Sequence, residues 1–206
     1  MSKVFDIKHF PMDIGRIICS VLVPAFRVKR LTPSGEKYKG RLRGGAVIAA
    51  NHRSFADPFI LGVTFWYRRV YMLIAEVVMG GRVRSALLRG MGGIKVDRNI
   101  ADIEAIKKSV KVLKDGHPLT LFPEGGIQGD GDTVRLKSGA ALIALSARVP
   151  IIPVYIAPKK GFFSRRVVVI GEPIDVFAMC SKKMPSTADI EKITDTLAQR
   201  MKECVI

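Results

Sequence analysis

Residues 51 to 58, N-H-R-S-F-A-D-P, place an imidazole five positions ahead of a carboxylate. If the stretch folds back, Asp57 accepts a hydrogen bond from one ring nitrogen of His52, fixes its tautomer and leaves the other nitrogen as a general base. The same residues suit a plainer role, because Asp is a favoured helix N-cap and Pro a favoured first helical residue. His52 has no such second use. A further acid, Glu124, stands in L-T-L-F-P-E-G-G-I-Q-G-D-G-D. Glycines there permit backbone conformations in which N–H groups converge on an anion, although a flexible connection needs glycines too. Asp130 and Asp132 suggest a calcium loop, but Val134 falls where a third ligand belongs and no Glu closes the loop, so no metal is expected. G-x-S-x-G and the P-loop pattern are absent, which leaves a hydrolase elbow and a Walker-type phosphate site without support.

Cations that suit an anionic substrate lie between these two turns and after the second. Arg98 ends G-G-I-K-V-D-R and offers a planar fork for a phosphate; a solvated surface arginine is the plain alternative. Lys137, in R-L-K-S-G-A, is a second phosphate candidate at the start of an apolar helix.

Positioning these groups requires a rigid frame. Short β-type runs occur at Ala46–Ala50, Val70–Ile74, Gly93–Val96, Leu119–Phe122, Ile151–Ile156 and Arg166–Ile170. Between them lie helical stripes, Ile103/Ile106/Val110/Leu113 and Ile190/Ile193/Leu197/Met201, each expected to face a core. Alternating strands and helices predict an α/β domain with a largely buried sheet. The turn at His52 and the turn at Glu124 then both sit at carboxyl ends of strands, the edge where open α/β sheets bind ligands.

A chain of 206 residues suits one domain with a sizeable core. Its 34 Lys and Arg against 18 Asp and Glu leave a net charge of +16, which predicts an anionic partner: a membrane surface, a phosphorylated substrate or nucleic acid. Cys19, Cys180 and Cys204 are far apart and lack metal-site spacing, which fits a reducing, cytoplasmic environment. Only Trp66 and Tyr67 lie near Arg68 and Arg69, so no aromatic-basic platform for nucleic acid is expected.

Near the N-terminus, Ile14 to Phe26 is apolar apart from Arg16 and Ser20, and Arg27, Lys29 and Arg30 follow it. The run is too short to cross a bilayer, which takes about 20 residues, and its charges fall on the wrong side for a cleaved leader. Residues 1–30 are therefore expected to form a membrane-interfacial helical segment, with packing on the core as the alternative, ahead of a domain over 31–206.

The blocks N-H-R-S-F-A-D-P, G-G-I-K-V-D-R, F-P-E-G-G, L-K-S-G-A and V-P-I-I-P-V, in this order, resemble those of glycerophospholipid acyltransferases of the 1-acylglycerol-3-phosphate acyltransferase type. The resemblance implies an αβα acyltransferase domain with a central mixed sheet. It implies that His52 is the general base on the acceptor hydroxyl, which attacks the thioester of acyl-CoA or acyl carrier protein, and that Asp57 orients His52. It further implies that Arg98 binds the acceptor phosphate and that Glu124 and Gly125 shape the acceptor site. The implied acceptor is a lysophospholipid, chiefly 1-acylglycerol-3-phosphate giving phosphatidic acid, with no bound cofactor. The implied location is the cytoplasmic face of the cell membrane, as a peripheral or monotopic protein on an anionic surface.

Two departures from the family pattern stand out. Gly126 and Ile127 occupy the positions where Thr and Arg are expected, which removes a phosphate-binding arginine, and Lys95 replaces an aromatic or aliphatic residue. The first leaves two options, compensation by Arg98, Arg135 or Lys137, or a different lysolipid head group. A basic membrane- or nucleic-acid-binding α/β protein without catalysis is the alternative of another class.

Overall fold

A computed structural model describes residues 10–15, 17–18, 28–97, 102–125, 136–158, 165–180 and 186–206. Seven strands form one sheet: β1 (Lys29–Leu31), β2 (Val47–Ala50), β3 (Tyr71–Ala75), β4 (Gly93–Val96), β5 (Leu119–Leu121), β6 (Ile151–Ile156) and β7 (Val167–Ile170). Their order across the sheet is β1-β7-β6-β2-β5-β3-β4. Among the described residues β6–β7 is the one antiparallel pairing of these strands, so the sheet is mixed.

The centre of the sheet is V-I-A-A. β2 is buried along its whole length because helices cover both faces, the usual condition of a parallel central strand. Its side chains alternate between two cores. Val47 and Ala49 join the helices Ile103–Lys114, Gly139–Ala147 and Thr187–Glu203 on one face. Ile48 and Ala50 meet Ile60, Leu61 and Phe65 from the Asp57–Thr64 helix and its end on the other. That arrangement is the expected αβα domain.

Several sequence expectations shift on contact with the fold. Ile103, expected in the core stripe, is 64% exposed; it is the first residue of a helix capped by Asp102, which accepts from Ala105 N, and its side chain swings clear of the sheet. The stripe starts at Ile106 instead, and Leu113 completes it at full depth. β1 straddles the expected boundary between residues 1–30 and 31–206, with Lys29 and Arg30 before it and Leu31 after it, and pairs with β7. Lys95 points outward from the edge strand β4 and pairs with Glu76 at 2.6 Å, so the residue found there in place of an apolar one disturbs no packing.

Near the N-terminus, residues 10–15 and 17–18 are helical. Met12 and Asp13 are buried, and Arg69 grips Asp13 in a bidentate ion pair at 2.6 and 2.8 Å. Phe10, Ile14, Ile17 and Ile18 are exposed. The rest of the apolar run expected to form an interfacial helix lies outside the described residues. Among the described residues, no helix is long and apolar enough to cross a membrane.

Chain connectivity places the two suspect turns side by side. From β2 the chain moves past β5 to reach β3, and from β5 it crosses back over β2 to reach β6. The connections therefore reverse direction at the β2–β5 pair, and at such a switch point a crevice opens outside the carboxyl ends of the strands.

Candidate active site

Asn51 starts the β2 turn by imitating a strand. Its amide nitrogen donates to Ile156 O at 3.2 Å and its amide oxygen accepts from Ile156 N at 2.7 Å, which ties the turn to the end of β6. His52 follows immediately, and the chain then folds back as its eight-residue motif suggested.

Asp57 does not cap the helix that it begins. Ala56 holds the N-cap position without a side-chain bond, and Asp57 and Pro58 open the first turn. The carboxylate faces backwards instead. Its Oδ2 accepts from His52 Nδ1 at 3.0 Å, Arg53 N at 2.7 Å and Ser54 N at 2.7 Å, and its Oδ1 accepts from Ser54 Oγ at 2.9 Å. The plainer reading of Asp57 as a cap gives way to the His52–Asp57 pair: the N–H groups of Arg53 and Ser54 both donate to the carboxylate, and charge-assisted bonds of this kind hold it in the turn rather than at the helix start. Burial by itself pushes the Asp57 carboxyl up, but the bonds from His52, Ser54 and Arg53 outweigh it and hold the group below the usual carboxylate range. An ionised carboxylate only accepts, so in the neutral imidazole Nδ1 carries the proton and Nε2 the lone pair.

Glu124 arrives from β5, the neighbour of β2. Its Oε2 accepts the backbone N–H of His52 at 3.0 Å. Burial pushes its carboxyl above the ordinary value, opposed by that same bond. Gly125 then turns with φ +76°, a conformation that L side chains avoid, and a Cβ there would meet Lys137 Cε at 2.7 Å. Glycine at 125 thus lets the Lys137 side chain run across the turn, while Lys137 N donates to Pro123 O at 2.8 Å. His52, Asp57, Glu124, Gly125 and Lys137 are brought together at one sheet edge. Arg98, Arg135, Gly126 and Ile127 lie outside the described residues. Among the described residues no cluster of His, Cys, Asp and Glu is arranged to hold a metal.

Two members of the site carried no clear sequence signal. Ser54 braces Asp57 through its hydroxyl. Phe122 stacks on His52 with ring centroids 4.0 Å apart and planes 15° from parallel. Aromatic contacts of this kind are worth about 0.5–1.5 kcal/mol, enough to hold the imidazole plane. Phe122→Leu is therefore expected to lower kcat by about tenfold with little change in KM, and Phe122→Tyr to keep near-normal turnover. Steady-state kinetics on the two variants check this, and a loss confined to KM would assign Phe122 to substrate contact instead.

Comparison with known proteins decides the family. The model of the Acyltransferase family matches residues 28–157, more than half of the chain and all of the site described above. The chain belongs to this acyltransferase family. Similar relatives include a 1-acyl-sn-glycerol-3-phosphate acyltransferase of Bacillus subtilis, 29% identical over 77% of this chain and 80% of the relative. Proteins of the same name from Streptococcus pneumoniae, 30% identical, and Limnanthes alba, 35% identical, are matched over 75% and 76% of this chain. In both of these the chain spans 57% of the relative's length. The fold of this acyltransferase is shared with the crystal structure of the 1-acyl-sn-glycerophosphate (LPA) acyltransferase PlsC from Thermotoga maritima. The TM-score is 0.60 at 20% identity, covering 92% of this chain and 77% of that one.

Proposed function

We propose that this acyltransferase transfers a fatty acyl group from acyl-CoA or acyl carrier protein to the free hydroxyl of a lysophospholipid, chiefly 1-acylglycerol-3-phosphate, giving phosphatidic acid. The observation that carries the reading is the buried His52 Nδ1–Asp57 Oδ2 bond at 3.0 Å, set at the switch point of the sheet. It leaves Nε2 as the proton acceptor. As Nε2 takes the acceptor's hydroxyl proton, the oxygen bonds to the thioester carbonyl carbon. Collapse of the tetrahedral adduct breaks the C–S bond, and the proton on Nε2 passes to the departing sulfur as thiol. Asp57 offsets the positive charge that His52 carries between these steps. The donor is a co-substrate, and no resident cofactor enters the scheme.

Acceptor recognition falls to cations near the turn. Lys137 reaches over Gly125 beside Glu124, and Arg98 comes two residues after β4 in the chain. With no arginine at 127, these two carry the phosphate. In this reading the reaction takes place at the cytoplasmic face of the cell membrane; the net charge of +16 supports an anionic surface as the partner.

Acyl transfer to lysophosphatidic acid by the purified protein, followed with both donors, tests the reading. Arg98→Ala is expected to raise the acceptor KM by about 10- to 100-fold, since a charge-assisted contact is worth about 1.5–3 kcal/mol, and Ile127→Arg to recover part of the loss in the double variant. An unaltered KM in Arg98→Ala would remove the phosphate role. Transfer only to lysolipids without a phosphate monoester would favour a different head group, as the Gly126-Ile127 departure allows. Oligonucleotide binding with steep salt dependence and no transfer would favour the non-catalytic alternative.

A further inference from the structure

The link between β3 and β4 has no part in the site, yet it has an unusual surface. The helix Arg82–Gly90 buries none of its side chains. Val83 is 85% exposed and Leu87 61%, while Val77, on the turn that leaves β3, is 81% exposed. Side chains on a helix advance by about 100° per residue, so Val83 and Leu87 share one stripe. Arg84 flanks the stripe, and Arg82 and Arg89 stand further round the helix, all three exposed. The helix contains no acidic residue.

The stripe does not stand alone. β3 runs parallel to β5 and β5 to β2, so Val77 emerges at the same sheet edge as the His52 turn. On that turn Phe55, between His52 and Asp57, is 78% exposed, and Phe59 is exposed one helical turn beyond it. At the far end of the helix a Cβ on Gly90 would meet Pro11 at 3.4 Å, and one on Gly92 would meet the Met12 methyl at 2.7 Å. The N-terminal helical residues, with Ile14 and Ile18 exposed, thus pack beside the stripe.

We propose that Phe55, Phe59, Val77, Val83 and Leu87 form a second membrane-docking face, separate from the N-terminal segment, which seats the catalytic edge of the sheet on an anionic bilayer. The charge pattern selects this occupant. An apolar stripe on a helix whose charged residues are all arginine sinks its side chains to the level of the acyl chains, while Arg84 beside it and the long Arg82 and Arg89 side chains reach the phosphates. A second copy of the chain, docked through a twofold axis, would set those arginines against one another. The proposal rests on the acyl-transfer reading only in giving the docked edge a lipid acceptor to meet.

Cosedimentation with vesicles of phosphatidylcholine and phosphatidylglycerol tests the face, using the full chain and the triple variant Val77→Ser, Val83→Ser, Leu87→Ser. All three side chains are solvent-exposed and none belongs to the site, so the fold and the chemistry are expected to persist. Vesicle affinity is expected to fall by about tenfold or more, while turnover of a monodisperse short-chain lysophosphatidic acid stays near wild type. Binding of the full chain to pure phosphatidylcholine vesicles is expected to be weak. Unchanged vesicle affinity in the triple variant would overturn the proposal, as would sedimentation-velocity evidence that the substitutions dissolve a dimer while leaving vesicle affinity intact. Failure of both proteins to acylate the short-chain acceptor would instead overturn the proposed reaction, and the vesicle measurement would still read the docking face.

Discussion

His52→Ala is expected to lower acyl transfer by about 10²- to 10⁴-fold, the usual contribution of a positioned general base, with the fold retained. An alcohol attacks a thioester slowly unless its proton leaves as the C–O bond forms, and Nε2 of His52 is the lone pair that the Asp57 bond leaves available. The fold is expected to survive because the imidazole is not what holds the turn. Asn51 is tied to Ile156, the backbone N–H of residue 52 reaches Glu124 whatever the side chain, and Arg53 N and Ser54 N still bind Asp57. The lost stacking on Phe122 costs at most about 1.5 kcal/mol. Single-turnover rates alongside circular dichroism and Tm separate the two effects. Near-normal turnover in a folded His52→Ala protein would end the general-base assignment and, with it, the proposed mechanism.

What could be read from the sequence was what is local in the chain. His52 and Asp57 sit five residues apart, so one tight turn brings them together, and the strand before them shows as an apolar run because β2 is buried on both faces. The turn of Asp57 back towards His52 is one of two options in the sequence, and the structure decides it. An Asp-Pro pair at a helix start satisfies the rules for an N-cap, and only the folded turn offers the two backbone donors and one hydroxyl that draw the carboxylate back. Glu124 shows as an acid at a second strand end, but its bond to the His52 backbone and the stacking of Phe122 on the ring arise from the β2–β5 pairing, which no local pattern reveals. β1 was missed because Lys-Arg-Leu buries a single side chain and gains its place from β7. The helix Arg82–Gly90 escaped for the opposite reason: a stripe is normally assigned to a core, and this one faces outward.

Asp57→Asn separates the orienting role of the carboxylate from its charge. The amide oxygen can still accept from Arg53 N and Ser54 N, so the turn is expected to persist. The ionic partner of His52 is lost, and the amide NH2 competes to donate to Nδ1, favouring the tautomer that places the proton on Nε2 and leaves no base there. Transfer is expected to drop by about 10²-fold or more, chiefly in kcat. Asp57→Ala is expected to cost the same activity and, in addition, about 1–3 kcal/mol of stability, because the N–H groups of Arg53 and Ser54 lose their acceptor. The pH dependence has a definite sign. The Asp57 carboxyl is held below its ordinary value in the folded protein, so its stabilising contribution is present above the unfolded value of about 3.9 and is lost as pH falls through the folded one. Glu124 acts in the other direction, since burial raises it and its ionisation opposes folding as pH rises; comparing wild type with Asp57→Asn at each pH removes the part due to burial and leaves the smaller part due to the Asp57 charge. The stability difference, measured by urea unfolding, is expected to favour wild type near neutrality and to shrink steadily below about pH 4. A difference that stayed constant into acid would mean that the carboxylate charge is not what the turn at His52 is built to hold, and kcat in the Asn variant equal to wild type would reduce Asp57 to a structural brace.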